Sequence, residues 1–179
     1  TQEILALLAL MTREGKLKQQ PIFIGGMGRV FTEIYDLESH RAHRNHTNLQ
    51  LHEALNLTVL DYRKMEKMRL KGGKLFVMTA GMMNENTAAH ALTLRLAGEP
   101  QHAIFFVGYA DPSTPAGRLR AAEPGEPFLF SASGGELTRR CRMEEYDLTA
   151  HANREELLGF VGKVNPRTVI LGHGEPASK

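Results

Sequence analysis

One cysteine, Cys141, stands among 179 residues. A single thiol excludes a disulfide within the chain and fits a reducing compartment, so a cytoplasmic location is expected. Long apolar runs are missing too. The longest, such as AIFFV at 103–107, are strand-sized and far short of the roughly 20 residues of a membrane span. No membrane partner is expected. The opening TQEILALLALM carries Glu3 and runs on into TREGKLK, which does not read as a signal peptide. Repeats and low-complexity linkers are absent. Neither a GxGxxG nor a P-loop lysine motif occurs. Charge is nearly balanced: the net value of +2 allows an anionic partner without demanding one.

What is present is ordinary globular composition, 42% hydrophobic and 23% charged. The length predicts one domain, or one and a fraction. A chain of this size buries roughly 70% of its unfolded surface and needs no covalent staples.

The segments alternate. TQEILALLALM predicts a helix with Ile4, Leu7, Leu8 and Met11 on one face and Gly15 as its C-cap. PIFI at 21–24 predicts a strand, and GGMG at 25–28 opens a second helix, RVFTEIYDLESH. The stretch 39–71 is polar and basic, with Arg41, Arg44, Arg63, Lys64, Lys67, Arg69 and Lys71 against Glu53, Asp61 and Glu66. KLFVMT predicts a buried strand, then a turn and the helix TAAHALTLRLA with Asn86 as N-cap. HAIFFVGY predicts another strand, followed by the turn-rich ADPSTPAG. EPFLF and LTRRCRMEEYDL alternate as half-exposed strands do. HANREELLGFVGKV predicts a helix ending before Asn165-Pro166, and RTVILG at 167–172 a final buried strand. Repeated strand, glycine turn and helix point to an α/β fold, a largely parallel sheet with helices on both faces. Ligands of such sheets sit at the carboxyl ends of strands. GGMG, TAGMMN, GYADPSTP and GHGE all fall there.

Each motif has a plainer reading. GGMGR, with backbone N–H groups at a helix start and Arg29 alongside, suits a phosphate, or simply close helix–strand packing. TAGMMNENT suits a ligand, or a tight turn with a cap. His40, His43, His46 and His52 drift around a helix rather than converging on a metal, and Arg41 and Arg44 would repel a cation. They read as an exposed basic end, with an RNA-facing patch as the alternative. His90 and His102 have no evident partner and read as structural. His151, in DLTAHANREEL, and His173, in VILGHGE, lie where strand ends could bring them together as metal or phosphate ligands. Two satisfied polar histidines would look the same.

TAGMMNENTAAHAL, IFFVGYADPSTPAGRL, LTAHANREEL and VILGHGE, in that order, resemble the C-terminal half of the β-CASP metallo-β-lactamase-fold nucleases. That family includes RNase J and the pre-mRNA 3′-end cleavage factors. Its ASxGM-like, GY…TPG, SAHAD-like and hhhHGE motifs stand here as TAGMM, GYADPSTPAG, TAHAN and ILGHGE. PIFIGGMGRVFTEIY resembles the family's strand and helix around a PVYxDGM motif, and TQEILALL its GRTQE helix. The resemblance covers nearly the whole chain.

It implies a β-CASP cap over residues 1–148 and a C-terminal segment of a metallo-β-lactamase domain over 149–179. It implies hydrolysis of RNA phosphodiesters in a cleft between the two domains, where two Zn²⁺ ions activate a hydroxide. His173 is then a zinc ligand. His151 is then the residue that contacts the scissile phosphate and helps protonate the leaving oxygen. Thr79, Gly81 and Met82 would line the substrate cleft, and the basic 39–71 stretch would track RNA. The implied partners are RNA and the rest of the metallo-β-lactamase domain; a homodimer stays open. Asn153 replaces the aspartate of the SAHAD pattern. HxHxDH, the family's main metal motif, is nowhere in the chain, and one histidine cannot hold a catalytic zinc, which needs about three protein ligands. The absent initial Met and the stop after HGEPASK are therefore expected to be cut ends of a larger enzyme, and this piece alone is expected to hold no zinc stably and to be inactive. Two other functions compete: a non-catalytic RNA- or protein-binding scaffold, and a small nucleotide-binding protein using GGMG.

Overall fold

Leucine and alanine dominate the first turns of the chain and wind into α1, Gln2–Arg13. The helix stops in Schellman geometry. Gly15, at φ 71°, lets its N–H reach Thr12 O at 3.1 Å, while Lys16 N–H reaches Met11 O at 2.9 Å. Its buried face is Leu5, Ala6 and Ala9, not the predicted stripe. Leu7 is 47% exposed. Small Ala6 and Ala9 let α1 lie close to its neighbours, which larger side chains at those positions would prevent.

The computed structural model describes residues 1–41, 46, 49–148 and 151–172. After α1 come β1 (Ile22–Ile24), α2 (Met27–Leu37), α3 (Leu51–Ala54), β2 (Leu57–Val59), α4 (Tyr62–Met65) and β3 (Leu75–Val77). The strands form a parallel sheet in the order β2-β1-β3. Ile22 and Ile24 point into one core with Leu5, Leu51 and Leu55. Each such side chain stabilises by about 1.5–3 kcal/mol through burial. On the other face Phe23 stands opposite Phe76 in the register, and their rings stack at 5.1 Å. The polar, basic stretch holds α3, β2 and α4. Asp36, near the end of α2, accepts from Leu51 N at 2.7 Å and His52 N at 2.9 Å, and so caps α3 from outside.

Next follow α5 (Ala88–Leu96), β4 (Ala103–Phe106), α6 (Pro115–Ala121), β5 (Pro127–Ser131), β6 (Gly135–Thr138) and β7 (Arg142–Glu145). The N-cap of α5 is Thr87, which accepts from His90 N; the predicted Asn86 instead turns the chain with φ 64°. α6 occupies what the sequence suggested was turn, with Thr114 as cap and Pro115 at its first position. β4 pairs with β7 in parallel, and β5 with β6 as an antiparallel hairpin. Ile104 and Phe106 face a second core with Leu119, Phe130 and Cys141. Arg120 of α6 donates from Nε to Glu145 Oε1 at 2.9 Å and pairs again through Nη2, which ties α6 to β7. The fold is α/β and largely parallel, as predicted, with the strands of the described residues shared among three small sheets.

The chain divides into two units, Thr1–Tyr146 and Asp147–Lys179. In the second, α7 (Arg154–Val164) carries a capping box. Asn153 Oδ1 accepts from Glu156 N at 2.9 Å, and Glu156 Oε2 accepts from Asn153 N at 2.8 Å. Asn165, at φ 47°, ends the helix. The predicted strand at 167–172 does not form, and Ile170 is 90% exposed. A strand needs a neighbour for its N–H and C=O groups; among the described residues this unit offers one helix and no strand.

Candidate functional site

Three loops that follow parallel strands come together in the first unit. They are 25–28 after β1, 79–83 after β3 and 108–114 after β4. A Cβ placed on Gly28 would stand 3.2 Å from Thr79 Cγ2, and one on Gly25 would stand 3.1 Å from Met78 Cε. GGMG is therefore small because it packs against the neighbouring strand end. Thr32, fully buried, donates to Gly28 O at 2.7 Å and accepts from Gln2 at 3.1 Å, which fixes this turn to α1. Arg29 pairs with Glu33 at 3.1 Å on the surface. The close-packing reading of GGMG is the one this geometry supports.

Thr79 and Gly81 are exposed at the end of β3, and Gly81 N donates to Thr79 O at 3.0 Å. No atom lies within 4 Å of a Cβ built on Gly81, so the turn opens to solvent. Met82 anchors it. Its carbonyl accepts from Ala116 N at 3.2 Å, and its sulfur accepts from Asp111 N at 3.3 Å. Met83 and Asn86 both hold positive φ, 53° and 64°. Two such non-glycine residues in one turn store strain, as is common at functional turns.

Side chains that sequence reasoning passed over stand beside these loops. Asp111 accepts from Ser113 Oγ at 2.6 Å and Ser113 N at 2.8 Å. The Ser113 hydroxyl and then its N–H hold this carboxyl below the usual range. Glu85 accepts from Ser133 N at 2.8 Å. That N–H is the main cause of its lowered pKa, and the Ser133 hydroxyl and nearby His90 act the same way. His90 has a partner after all. Its Nε2 lies 2.8 Å from Ser131 Oγ and its ring stacks on Phe130 at 5.0 Å, both residues being buried. A histidine on the apolar side of α5 was the available signal; its partner, 41 residues away, was not. His52 likewise is no free basic end, since its Nδ1 sits 2.8 Å from Asp36 Oδ2.

The predicted site residues therefore divide. Thr79, Gly81 and Met82 share one turn, beside GGMG and the 108–114 loop. His151 is exposed and belongs to the second unit, two residues before the Asn153 cap. His173 and His43 lie outside the described residues. Among the described residues no three His, Cys, Asp or Glu side chains are grouped so as to hold a metal. These residues do not fit a catalytic zinc, and no metal-dependent step is assigned to them.

Comparison with known proteins gives two domain matches. The Beta-Casp domain matches residues 1–119, and a Zn-dependent metallo-hydrolase RNA specificity domain matches 136–179. The chain is 30% identical over 116 residues to Endoribonuclease YSH1 of Candida glabrata, covering 64% of this chain and 14% of that protein. It is 26% identical over 160 residues to Probable RNase MJ4 of Methanocaldococcus jannaschii, covering 87% and 35%. It is 28% identical over 177 residues to RNase aCSPSF2 of Saccharolobus solfataricus, covering 98% and 33%. The chain thus spans about a third or less of the length of these relatives.

Proposed function

Because the chain belongs to the Beta-Casp family, we propose that it is the cap and C-terminal part of a zinc-dependent nuclease that hydrolyses RNA phosphodiesters. The observation that carries this reading is the meeting of the 25–28, 79–83 and 108–114 loops at strand carboxyl ends, where α/β sheets bind ligands. The two domain descriptions and the relatives named as ribonucleases support it. In this reading residues 1–148 are the cap and 149–179 a strip of the metallo-hydrolase domain, and the protein works in the cytoplasm.

Roles follow by residue. Thr79, with its hydroxyl, the exposed backbone at Gly81 and the half-buried Met82 contact the substrate strand. His151 contacts the scissile phosphate and gives a proton to the leaving oxygen. His173 is one ligand of a zinc centre whose other ligands come from a longer protein, since HxHxDH is absent from these 179 residues. Zinc held there would supply a nucleophilic hydroxide. The replacement of the SAHAD aspartate does not disturb the local backbone, because asparagine caps α7 as aspartate would.

The 179-residue chain is expected neither to bind two zinc ions nor to cleave RNA. Metal analysis giving two equivalents per chain, with hydrolysis abolished by His173→Ala, would overturn this. In a longer protein carrying the remaining motifs, His151→Ala is expected to lower the chemical rate and keep the zinc content. Unchanged turnover would remove its role. Asn153 in place of the family's aspartate favours a second reading, a non-catalytic RNA- or protein-binding module. A degenerate HxHxDH in the preceding coding sequence would select it.

A further inference from the structure

A cavity of about 430 Å³ opens at the amino-terminal ends of β3 and β4, the opposite end of those strands from the loops described above. Its walls come from the segment 68–71, from Arg95 in the last turn of α5 and Glu99 beyond it, and from Gln101 and His102 just before β4. The volume is in the range of small-ligand sites. We propose that this cavity is a second RNA contact, taking one nucleotide of a single strand. The phosphodiester lies on Arg69, Lys71 and Arg95, and the nucleoside lies against Met68 and Leu70. The proposal rests on the RNA reading of the previous section and adds where, away from the strand-end loops, the strand is held.

The charges carry the argument. Three cations face one acid, and Glu99 already accepts from Gln101 Nε2 at 3.0 Å. Among the described residues no ion pair engages Arg69, Lys71 or Arg95. Arg95 is held in place. Its Nη2 donates to Met68 O at 2.6 Å and its Nη1 to Met65 O. Both partners are neutral carbonyls, so the guanidinium keeps its full charge and three of its five donors. A cation in the last turn of α5 answers the helix dipole by itself. Arg69 and Lys71 arrive from a different segment and are surplus to that need. Met68 and Leu70, both half-buried, alternate with the two cations, so the segment offers charge and apolar surface to one ligand. A nucleotide has both.

One phosphate neutralised on a single strand contributes about −0.7 to the salt slope in log–log form, or about a 2.6-fold loss of affinity from 50 to 200 mM salt. The test is fluorescence anisotropy of a labelled single-stranded RNA with the 179-residue chain across that range. Arg69→Ala with Lys71→Ala is expected to weaken binding and make the slope shallower by up to about 0.7. Both side chains are exposed, so an unchanged denaturation midpoint is expected and is measured in parallel. Arg63→Ala with Lys64→Ala, cations of the same stretch outside the cavity, is expected to do much less. Equal losses in the two double variants, or no RNA binding by the parent chain, overturn the proposal. Inorganic phosphate or AMP saturating the cavity without displacing RNA does so too, and identifies a free-anion site instead. Hydrolysis by a longer protein carrying the metal motifs separates the two readings. Cleavage with an unaltered slope in the cavity variant sinks this contact and leaves the nuclease standing. Loss of slope without any cleavage does the reverse.

Discussion

Replacing Gly117 with alanine puts a methyl group where the chain has no room for it. Gly117 lies in α6, one turn from the Thr114 cap. A Cβ there would stand 2.1 Å from Asp111 O, 2.5 Å from Pro112 Cα and 2.7 Å from Asp111 C. All three are backbone atoms, so no side chain can swing away. Ordinary contact begins near 3.4 Å, and the loop must therefore retreat from the helix by about 1.3 Å. That movement pulls Asp111 N from the Met82 sulfur and strains the Thr114 cap. Intrinsic helix preference favours alanine over glycine by about 1 kcal/mol, while overpacking of this kind costs about 1–3 kcal/mol and sometimes more. Because the crowding atoms are backbone, the upper end applies, so a net loss of about 2 kcal/mol is expected. Urea unfolding should show the midpoint about 1 M lower, at a slope near 2 kcal/mol per molar. Gly159→Ala, in α7 with nothing within 4 Å of the added methyl, isolates the propensity effect and is expected to stabilise its helix. A Gly117→Ala chain as stable as the parent would refute the steric reasoning.

Asn153→Ala is expected to fray α7, costing about 1 kcal/mol of helix stability, whereas Asn153→Asp keeps the cap; helicity by circular dichroism across the two variants decides it. Glu145, Glu85 and Asp111 all have lowered carboxyl pKa values in the folded chain, through the hydrogen bond from Arg120, the Ser133 N–H and the Ser113 hydroxyl respectively. Their contribution is therefore present above the ordinary carboxyl range near 4 and is lost as pH falls through the depressed values. Glu145→Gln is expected to flatten part of that acid-side fall, and an identical pH profile would count against the assignment. Burial pushes the Cys141 thiol up, so alkylation at pH 8 is expected to be slow in the folded chain and fast in urea. Rapid labelling without denaturant would mean that β7 opens freely.

Legibility followed the range of the forces involved. β1, β3 and β4 were readable because each is a short apolar run behind a glycine or polar turn, and α7 because its pattern stops before Asn165-Pro166. α6 was hidden by its own start signal. Thr114-Pro115 belongs to a string of turn residues, ADPSTP, although threonine before proline is also how a helix begins. The stripe on α1 was misread because a hydrophobic count favours leucine, whereas close helix packing selected Ala6 and Ala9. RTVILG has the composition of a strand and lacks a partner among the described residues. Of the candidate site, Thr79, Gly81 and Met82 were singled out by their motif and fall in one turn. Its contacts with Asp111 and Ala116 join residues about 30 apart, and no local pattern announces them. The same holds for His90 and Ser131. Two chemically suited residues are visible in any sequence, but that they face one another depends on how α5 packs on the β5–β6 hairpin.

The parallel pairing of β4 with β7 has a consequence in time. The chain grows from its amino terminus at roughly 5–20 residues per second. β4 ends at Phe106 and β7 begins at Arg142. For about 2–7 s on that scale, the edge of β4 that β7 will take has been made and its partner has not. Ile104 and Phe106, which end in the core, await their cover during that interval, and an open apolar edge invites pairing with other chains. The β5–β6 hairpin and α6 are synthesised within it, and the hairpin's own pairing is local. They can form first, and the arrival of β7 then closes the sheet over a core already assembled around Phe130.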